Sequence, residues 1–341
     1  MKTPDFSKID QSWPETELEK VDACPYCQAT ERTLAYKDVQ DWSFYGAPGK
    51  WRYWNCSNCE ALYLNPRPIE ASIGKAYATY YTHSAGGSSL LQNIKTRLKN
   101  ECYYHWRQAD ISPRFKVPSP LAFLFSPFKK FINLPFELEK LVNLPKGKLL
   151  DVGCGSGKSL LVAKQLGWDV TGLEIDPSAV KAAREQGLNI VEGDFRQLKH
   201  LKNQFDCIIC SHVLEHVHFP LELLTLLTEA LRPQGAVLLS LPNASSHVRA
   251  EFGANWRGLE APRHLGIPTL SKLIELLVSL GYEDIKQTNV NNLTVVESIR
   301  IQNRQLTSGF KNMLFVKLKI AMSIAVTNAQ SDFIQISAKK K

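Results

Sequence analysis

From Lys148 onward, apolar and polar positions alternate in a regular way. Short apolar runs suited to buried strands occupy Lys148–Val152, Asp169–Glu174, Asn189–Glu192, Phe205–Ser211 and Ala236–Leu241. Between them, helical spacing covers Gly157–Leu166, Ser178–Gln186 and Pro220–Leu231. Leu270–Leu280 reads as a further helix, with apolar residues at 270, 273, 274, 276, 277 and 280. Two more strands follow, Asp284–Val290 and Asp332–Ala338. Alternating β and α units predict a doubly wound α/β fold over residues 147–341. Its seven strands would form a parallel sheet with helices on both faces.

Upstream the pattern is weaker. Residues 1–20 are polar and mixed in charge and read as a loose leader. Strand-like pieces at Thr33–Lys37, Trp42–Tyr45 and Lys50–Asn55, with a turn at Gly46–Gly49, predict a small module over 21–66. Residues 67–146 hold an aromatic cluster (Tyr77, Tyr80, Tyr81, His83) and a Gly/Ser break at Ser84–Ser89. A basic amphipathic stretch comes next, broken by prolines at 113, 118, 120, 127 and 135. This segment reads as a helical, aromatic linker and a candidate substrate lid.

Composition narrows the classes. A chain of 341 residues has room for one large domain and a small one. With 44% hydrophobic and 22% charged residues it is neither disordered, collagen-like nor a membrane bundle. The longest apolar candidates, Val117–Phe128 and Met313–Val326, are short or interrupted by Lys317 and Lys319. A membrane span needs about 18 to 20 residues. The start of the chain lacks the basic and apolar regions of a signal peptide, so a cytoplasmic location is expected. The net charge of +8 permits a polyanionic partner without requiring one.

Eight cysteines divide unevenly. Cys24-Pro25-Tyr26-Cys27 and Cys56-Ser57-Asn58-Cys59 form two tight pairs separated by 28 residues. In a chain without a secretion signal, this spacing argues for one tetrahedral structural Zn²⁺ rather than disulfides. Cys207 and Cys210 share the spacing but sit inside a strand. They would point to opposite faces there and belong to the core.

The strand–turn–helix segment at 148–159 contains Asp151, Gly153, Gly155 and Gly157. Its glycines let the backbone approach a ligand, and the helix start offers free N–H groups. Three residues, not four, separate Gly153 from Gly157, so it is not a Walker loop. A carboxylate just before the turn would repel phosphate and suits a cationic ligand. Glu174 ends the second strand, where an acid can take a ribose diol. Asp194-Phe195 ends the third and pairs a carboxylate with an aromatic ring, as an adenine site would.

This constellation resembles the class I S-adenosylmethionine-dependent methyltransferases over about residues 148–340. Leu150–Gly157 is similar to the family's first motif, Val170–Asp176 to its second and Gly193-Asp194-Phe195 to its third. The Phe205–Val217 and Leu231–Gly235 regions look like those around strands four and five. The resemblance implies seven strands with the last antiparallel, which makes the sheet mostly parallel. It also implies methionine contacts from Asp151, Gly153, Gly155 and Gly157, a ribose contact from Glu174, adenine contacts from Asp194 and Phe195, and further cofactor contacts from Ile175 and Ser211.

The class of acceptor is read from the residues after strand four. Base N-methyltransferases carry Asn/Asp-Pro-Pro-aromatic there, whereas this chain has Ser211-His212-Val213-Leu214. A hydroxyl or acidic carbon needs a base, and histidine is matched to neutral pH. His212 and His216, with Glu215 between them, read as structural or cofactor-side groups, as an acid–base pair, or as metal ligands. Some quinone O-methyltransferases hold a divalent ion here, but His212 stands where those resemble Glu. His218 and His247 are also notably placed.

His264, in Glu260-Ala261-Pro262-Arg263-His264, resembles the Glu-His motif of deoxysugar C-methyltransferases and is the expected base, with Arg263 in place of the Glu. Those enzymes also open with a four-cysteine module followed by substrate-facing tyrosines. By that resemblance Tyr77, Tyr80 and Tyr81 are candidate substrate contacts; Trp256 and Arg263 are candidates by their place near His264. They also carry an extra C-terminal domain that this chain does not show.

Basic apolar stretches at Leu90–Arg107, Pro127–Lys130 and Lys311–Val326 read as helices covering the sheet or as peripheral contacts with an anionic membrane. The expected function is methyl transfer to a hydroxyl, or second to a carbon, of a sugar, glycan or other small molecule. The rivals are an RNA methyltransferase whose zinc module grips RNA and a non-catalytic zinc-dependent binding module.

Overall fold

A computed structural model describes residues 8–77, 90–118, 120–121, 135–288, 294–303 and 331–341. The N-terminal part contains β1 (Leu18–Glu19), β2 (Arg32–Val39), β3 (Trp51–Cys56), β4 (Leu62–Leu64), β5 (Arg67–Pro68) and α1 (Glu70–Ile73). Next come α2 (Leu90–Arg107) and α3 (Phe136–Asn143). The α/β part runs β6 (Lys148–Val152), α4 (Lys158–Gln165), β7 (Asp169–Glu174), α5 (Pro177–Arg184), β8 (Asn189–Glu192), β9 (Phe205–Ser211), α6 (Pro220–Ala230) and β10 (Leu231–Pro242). It continues through α7 (His247–Phe252), β11 (Gly266–Ile267), α8 (Leu270–Ser279), β12 (Tyr282–Gln287), α9 (Val295–Asn303) and β13 (Phe333–Lys340).

Seven strands form the main sheet in the order β12-β13-β10-β9-β6-β7-β8. β6 to β10 pair in parallel, while β13 runs antiparallel to both β10 and β12, as expected. Each face buries its own apolar cluster. Cys210 packs on one and Cys207 on the other, because alternate strand positions face opposite ways. The order reverses between β6 and β9, and the crevice at their carboxyl ends is where a ligand of such a sheet sits.

Three expectations change. The segment Trp42–Tyr45 is a turn, not a strand. Asp41 nucleates it, its carboxylate accepting from the N–H groups of Phe44, Gly46 and Ala47. The leader is packed from residue 8 on. Ile9 and Trp13 are buried, and Leu18–Glu19 pairs with Arg67–Pro68. Finally, the N-terminal module and the α/β part share a sheet. The order β11-β4-β3-β2 places Gly266–Ile267 beside Leu62–Tyr63. A two-residue strand leaves no periodicity to read. Tyr80, Tyr81, the residues at 127–130 and the stretch at 311–326 lie outside the described residues. Among the described residues no helix is long and apolar enough to cross a membrane.

Candidate active site

The glycine turn closes onto the neighbouring strand. Gly153 N–H donates to Leu173 O at 2.8 Å, and Gly155 N–H to Glu174 Oε2 at 2.8 Å. Gly153 and Gly157 have left-handed φ of +74° and +80°. A Cβ at Gly153 would meet Val213 Cγ2 at 2.6 Å, and one at Gly157 would meet Leu188 Cδ1 at 2.2 Å. Both positions require glycine. The other Glu174 oxygen accepts from Ile175 and Asp176 N–H. Ile175 itself is 66% exposed, an apolar side chain left open beside the crevice.

Asp151 is buried, and its carboxylate forms no hydrogen bond among the described residues. Burial first, then the nearby charges of Glu137 and Glu174, push its carboxyl up to about 8. Glu137, on α3, accepts from Ser211 Oγ at 2.8 Å. The sequence pattern did not single out Glu137. It sits on the helix before the sheet, far from any motif. Three carboxylates thus gather at one point, a place built for positive charge. Asp194 caps the turn that follows it and pairs with Arg196. Phe195 is buried under the Arg196 guanidinium.

Beside this crevice lies a cavity of about 310 Å³. Its walls come from His212, His216, Pro242, Arg257, Gly258, Glu260, His264, Thr294, Glu297 and Phe333. His212 follows Ser211 directly and takes a left-handed φ of +56°. Half of its side chain is accessible, and its Nδ1 lies 3.1 Å from Glu215 Oε1. Burial opposes the charged ring, but Glu215 outweighs it and raises the His212 pKa above the usual histidine value. The partner carboxylate is fully buried. It is held below its usual range against burial by His212 and His216.

His264, the expected base, is buried. Its Nδ1 donates to Gly258 O at 2.7 Å. Burial drives its pKa down to about 4 despite Glu260, whose Oε2 lies 3.6 Å from Nε2. The carboxylate near His264 is therefore Glu260, four residues back in the chain, which supplies the acid that Arg263 displaces from the adjacent position. Burial disfavours the Glu260 charge, yet His264, Arg257 and Arg263 hold its pKa down to about 2.

Arg263 O accepts from His216 Nδ1 at 3.1 Å, and Tyr77 Oη lies 2.9 Å from the same nitrogen. Tyr77 therefore reaches the site through His216. The second oxygen of Glu215 is buried with no hydrogen-bond partner among the described residues, and Glu215, His216 and His264 offer ligand atoms within 4.8 Å of one another.

Two expected substrate contacts stand behind the wall instead. Trp256 is 1% exposed, its Nε1 donating to Asp332. Arg263 is fully buried, pairing with both oxygens of Asp41 and with Glu260. Long-range charge pairing of this kind has no local signature in sequence. His218 is structural, bonded to Pro68 O.

The four cysteines of the two pairs converge. Sulfur separations are 3.6 Å for Cys24–Cys59 and 3.4 Å for Cys27–Cys56, and all four lie within 4.8 Å. A zinc tetrahedron with bonds of about 2.3 Å has sulfur–sulfur edges of about 3.8 Å, so the residues fit that ion.

Residues 125–287 match a family model described as a methyltransferase domain. A curated ubiquinone biosynthesis O-methyltransferase from Xanthomonas campestris is 36% identical over 109 residues, 30% of this chain and 46% of that protein. Another of that name from Cereibacter sphaeroides is 35% identical over 140 residues, 38% of this chain and 53% of that protein. The chain spans about half the length of the curated relatives it matches. A solved S-adenosylmethionine-dependent methyltransferase from Archaeoglobus fulgidus is 22% identical. It covers 64% of this chain and 100% of its own, with a TM-score of 0.42.

Proposed function

Because the chain carries a class I S-adenosylmethionine-dependent methyltransferase domain, we propose that it methylates a hydroxyl of a small polyhydroxylated molecule, a sugar or glycan unit. The observation behind this reading is the acceptor cavity. Seven of its ten lining residues carry polar or charged side chains, interleaved with Pro242, Gly258 and Phe333, and it adjoins the carboxylate-rich crevice at His212. Hydrogen-bonding groups set around apolar patches match the hydroxyls and C–H faces of a sugar ring. An O-methyl product also accords with the names of the curated relatives.

The cofactor supplies a methyl group on a cationic sulfur. Asp151 and Glu137 hold its ammonium, Glu174 takes the ribose hydroxyls, and Ile175 lies against the adenine. Asp194 keeps its cap and offers its outer oxygen to the base. His212 Nε2 removes the acceptor proton as the new oxygen–carbon bond forms and the sulfur–carbon bond breaks. Glu215 fixes the ring and balances the resulting imidazolium. His264 stays neutral and shapes the wall. Most of the rate comes from alignment in the crevice.

A second reading follows from the convergence of Glu215, His216 and His264. Both imidazoles give their Nδ1 to a carbonyl, and among the described residues neither Nε2 forms a hydrogen bond, as suits metal-bound histidines. A divalent cation held there would polarise the acceptor oxygen. Mn²⁺ titration followed by electron paramagnetic resonance, with His264→Ala as control, tests it. Binding abolished in the variant supports this reading, and no binding removes it.

The four cysteines hold a structural Zn²⁺ in this proposal. The exposed row Leu90, Ile94 and Leu98 on α2, flanked by Lys95, Arg97 and Lys99, is its candidate contact with an anionic membrane. Absence of co-sedimentation with anionic liposomes at low salt would remove that contact.

The functional reading is tested with labelled S-adenosylmethionine and separate sugar–glycan, RNA and protein pools from the host. Label in the glycan or small-molecule pool supports it. Label in RNA overturns the substrate class, and absent cofactor binding makes the chain a binding module.

A further inference from the structure

The loop 257–267 carries Glu260 and His264 and forms one wall of the acceptor cavity. The α/β part holds it at three points, with Leu265 N–H donating to Glu215 O at 2.7 Å, His216 Nδ1 to Arg263 O at 3.1 Å and Arg257 N–H to Ser298 Oγ at 2.9 Å, but most of its polar contacts come from the four-cysteine module. Tyr53 Oη lies 2.5 Å from Leu259 O and 2.8 Å from His264 O, and donates its proton between them. Tyr26, between Cys24 and Cys27, donates to Gly266 O at 2.8 Å. Leu64 N–H donates to Leu265 O at 3.0 Å, and Tyr63 and Leu62 pair with Gly266 and Ile267. Asp41 grips the buried Arg263. Past the loop, Thr269 Oγ1 donates to Cys59 O at 3.3 Å.

The cofactor crevice is built otherwise. The bonds Ser211–Glu137, Gly155–Glu174 and Asp194–Arg196 are all made within residues 135–213. The acceptor wall thus hangs mainly from the four-cysteine module and the cofactor crevice from the α/β part, and the two meet at Glu215 and His216.

We propose that the four-cysteine module is the positioning frame of the acceptor wall, with Tyr53, Tyr26 and Asp41 as its positioning residues. Tyr26 is part of the first cysteine turn and Thr269 is tied to the second, so ordering of the cysteines is transmitted directly to the loop. Losing the metal then loosens the acceptor wall while the cofactor crevice keeps its shape. This inference rests on the methyl-transfer reading only for its kinetic readout.

The test uses the full chain, zinc-loaded and after chelation, together with Tyr53→Phe and Tyr26→Phe. Amide hydrogen exchange is followed by mass spectrometry and S-adenosylmethionine binding by calorimetry. The expected result is at least tenfold faster exchange over residues 257–267, with unchanged exchange over 151–157 and 174–176. Cofactor Kd stays within twofold. With an acceptor in hand, kcat falls at least tenfold in Tyr53→Phe at constant cofactor KM. Unchanged exchange at 257–267 in every sample overturns the proposal. So does exchange that rises equally at the cofactor crevice, which would make the module a general stabiliser. The exchange result stands whether or not methyl transfer is found, so failure of the two readings can be told apart.

Discussion

Cofactor affinity should fall steeply with acidification, and Asp151 is the reason. Its carboxyl is 5% exposed, lacks a hydrogen-bond partner among the described residues and stands close to Glu137 and Glu174. Burial and those two charges raise its pKa to about 8. The ammonium at the ligand's methionine end favours the ionised form, so binding expels a proton. With that pKa, roughly 10% of the free protein is ionised at pH 7 and roughly 1% at pH 6. The apparent Kd should therefore rise about ninefold between pH 7 and pH 6, a difference of about 1.3 kcal/mol. Calorimetry in two buffers of different ionisation enthalpy should count about one proton released per cofactor bound.

Glu137→Gln removes one of the repelling charges, lowers the Asp151 pKa and flattens this dependence. Asp151→Asn abolishes it and weakens binding at pH 7.5 about tenfold, the scale of one charge-assisted hydrogen bond. A wild-type Kd that changes less than twofold from pH 7 to pH 6, with no proton release, would refute the reasoning.

Three further outcomes are expected. His212→Gln should lower kcat by about 100-fold or more while leaving cofactor binding within twofold. In wild type, the rate should be lost as pH falls through a value above the usual histidine pKa, and Glu215→Gln should move that limb downward; stopped assays from pH 5 to 9 would show it. Gly157→Ala, with a left-handed φ and a Cβ 2.2 Å from Leu188, should cost about 2 kcal/mol or more in urea unfolding. Arg263→Met leaves Asp41 and Glu260 as buried, poorly compensated carboxylates. It should destabilise the fold by about 3–5 kcal/mol, read as a lowered thermal midpoint.

Much of the α/β part was legible because its signals are local. Period-2 and period-3.6 runs located the seven strands and their helices, and Asp151 with Gly153 and Gly157 marked the turn before any partner was known. The two cysteine pairs were equally plain, since spacing alone brings four sulfurs together. The long-range pairings escaped. Arg263 and Trp256 read as substrate contacts because they flank His264, whereas their partners Asp41 and Asp332 lie 222 and 76 residues away.

His264 drew attention by its motif, but depth of burial, which weakens it as a base, is a tertiary property. His212 was one of several candidates in sequence, and the bond by which Glu215 orients it sets it apart in the fold. Glu137 carries no motif at all and matters only through its proximity to Ser211 and Asp151.

The central claim is that this domain moves a methyl group from S-adenosylmethionine to an oxygen of a small hydroxylated acceptor. Incubation of the protein with ¹³C-methyl S-adenosylmethionine and a host small-molecule and glycan extract, read by carbon–proton NMR, tests it most directly. The account predicts a new oxygen-bound methyl signal that His212→Gln removes. A carbon-bound methyl signal, or one unaffected by that substitution, would contradict it.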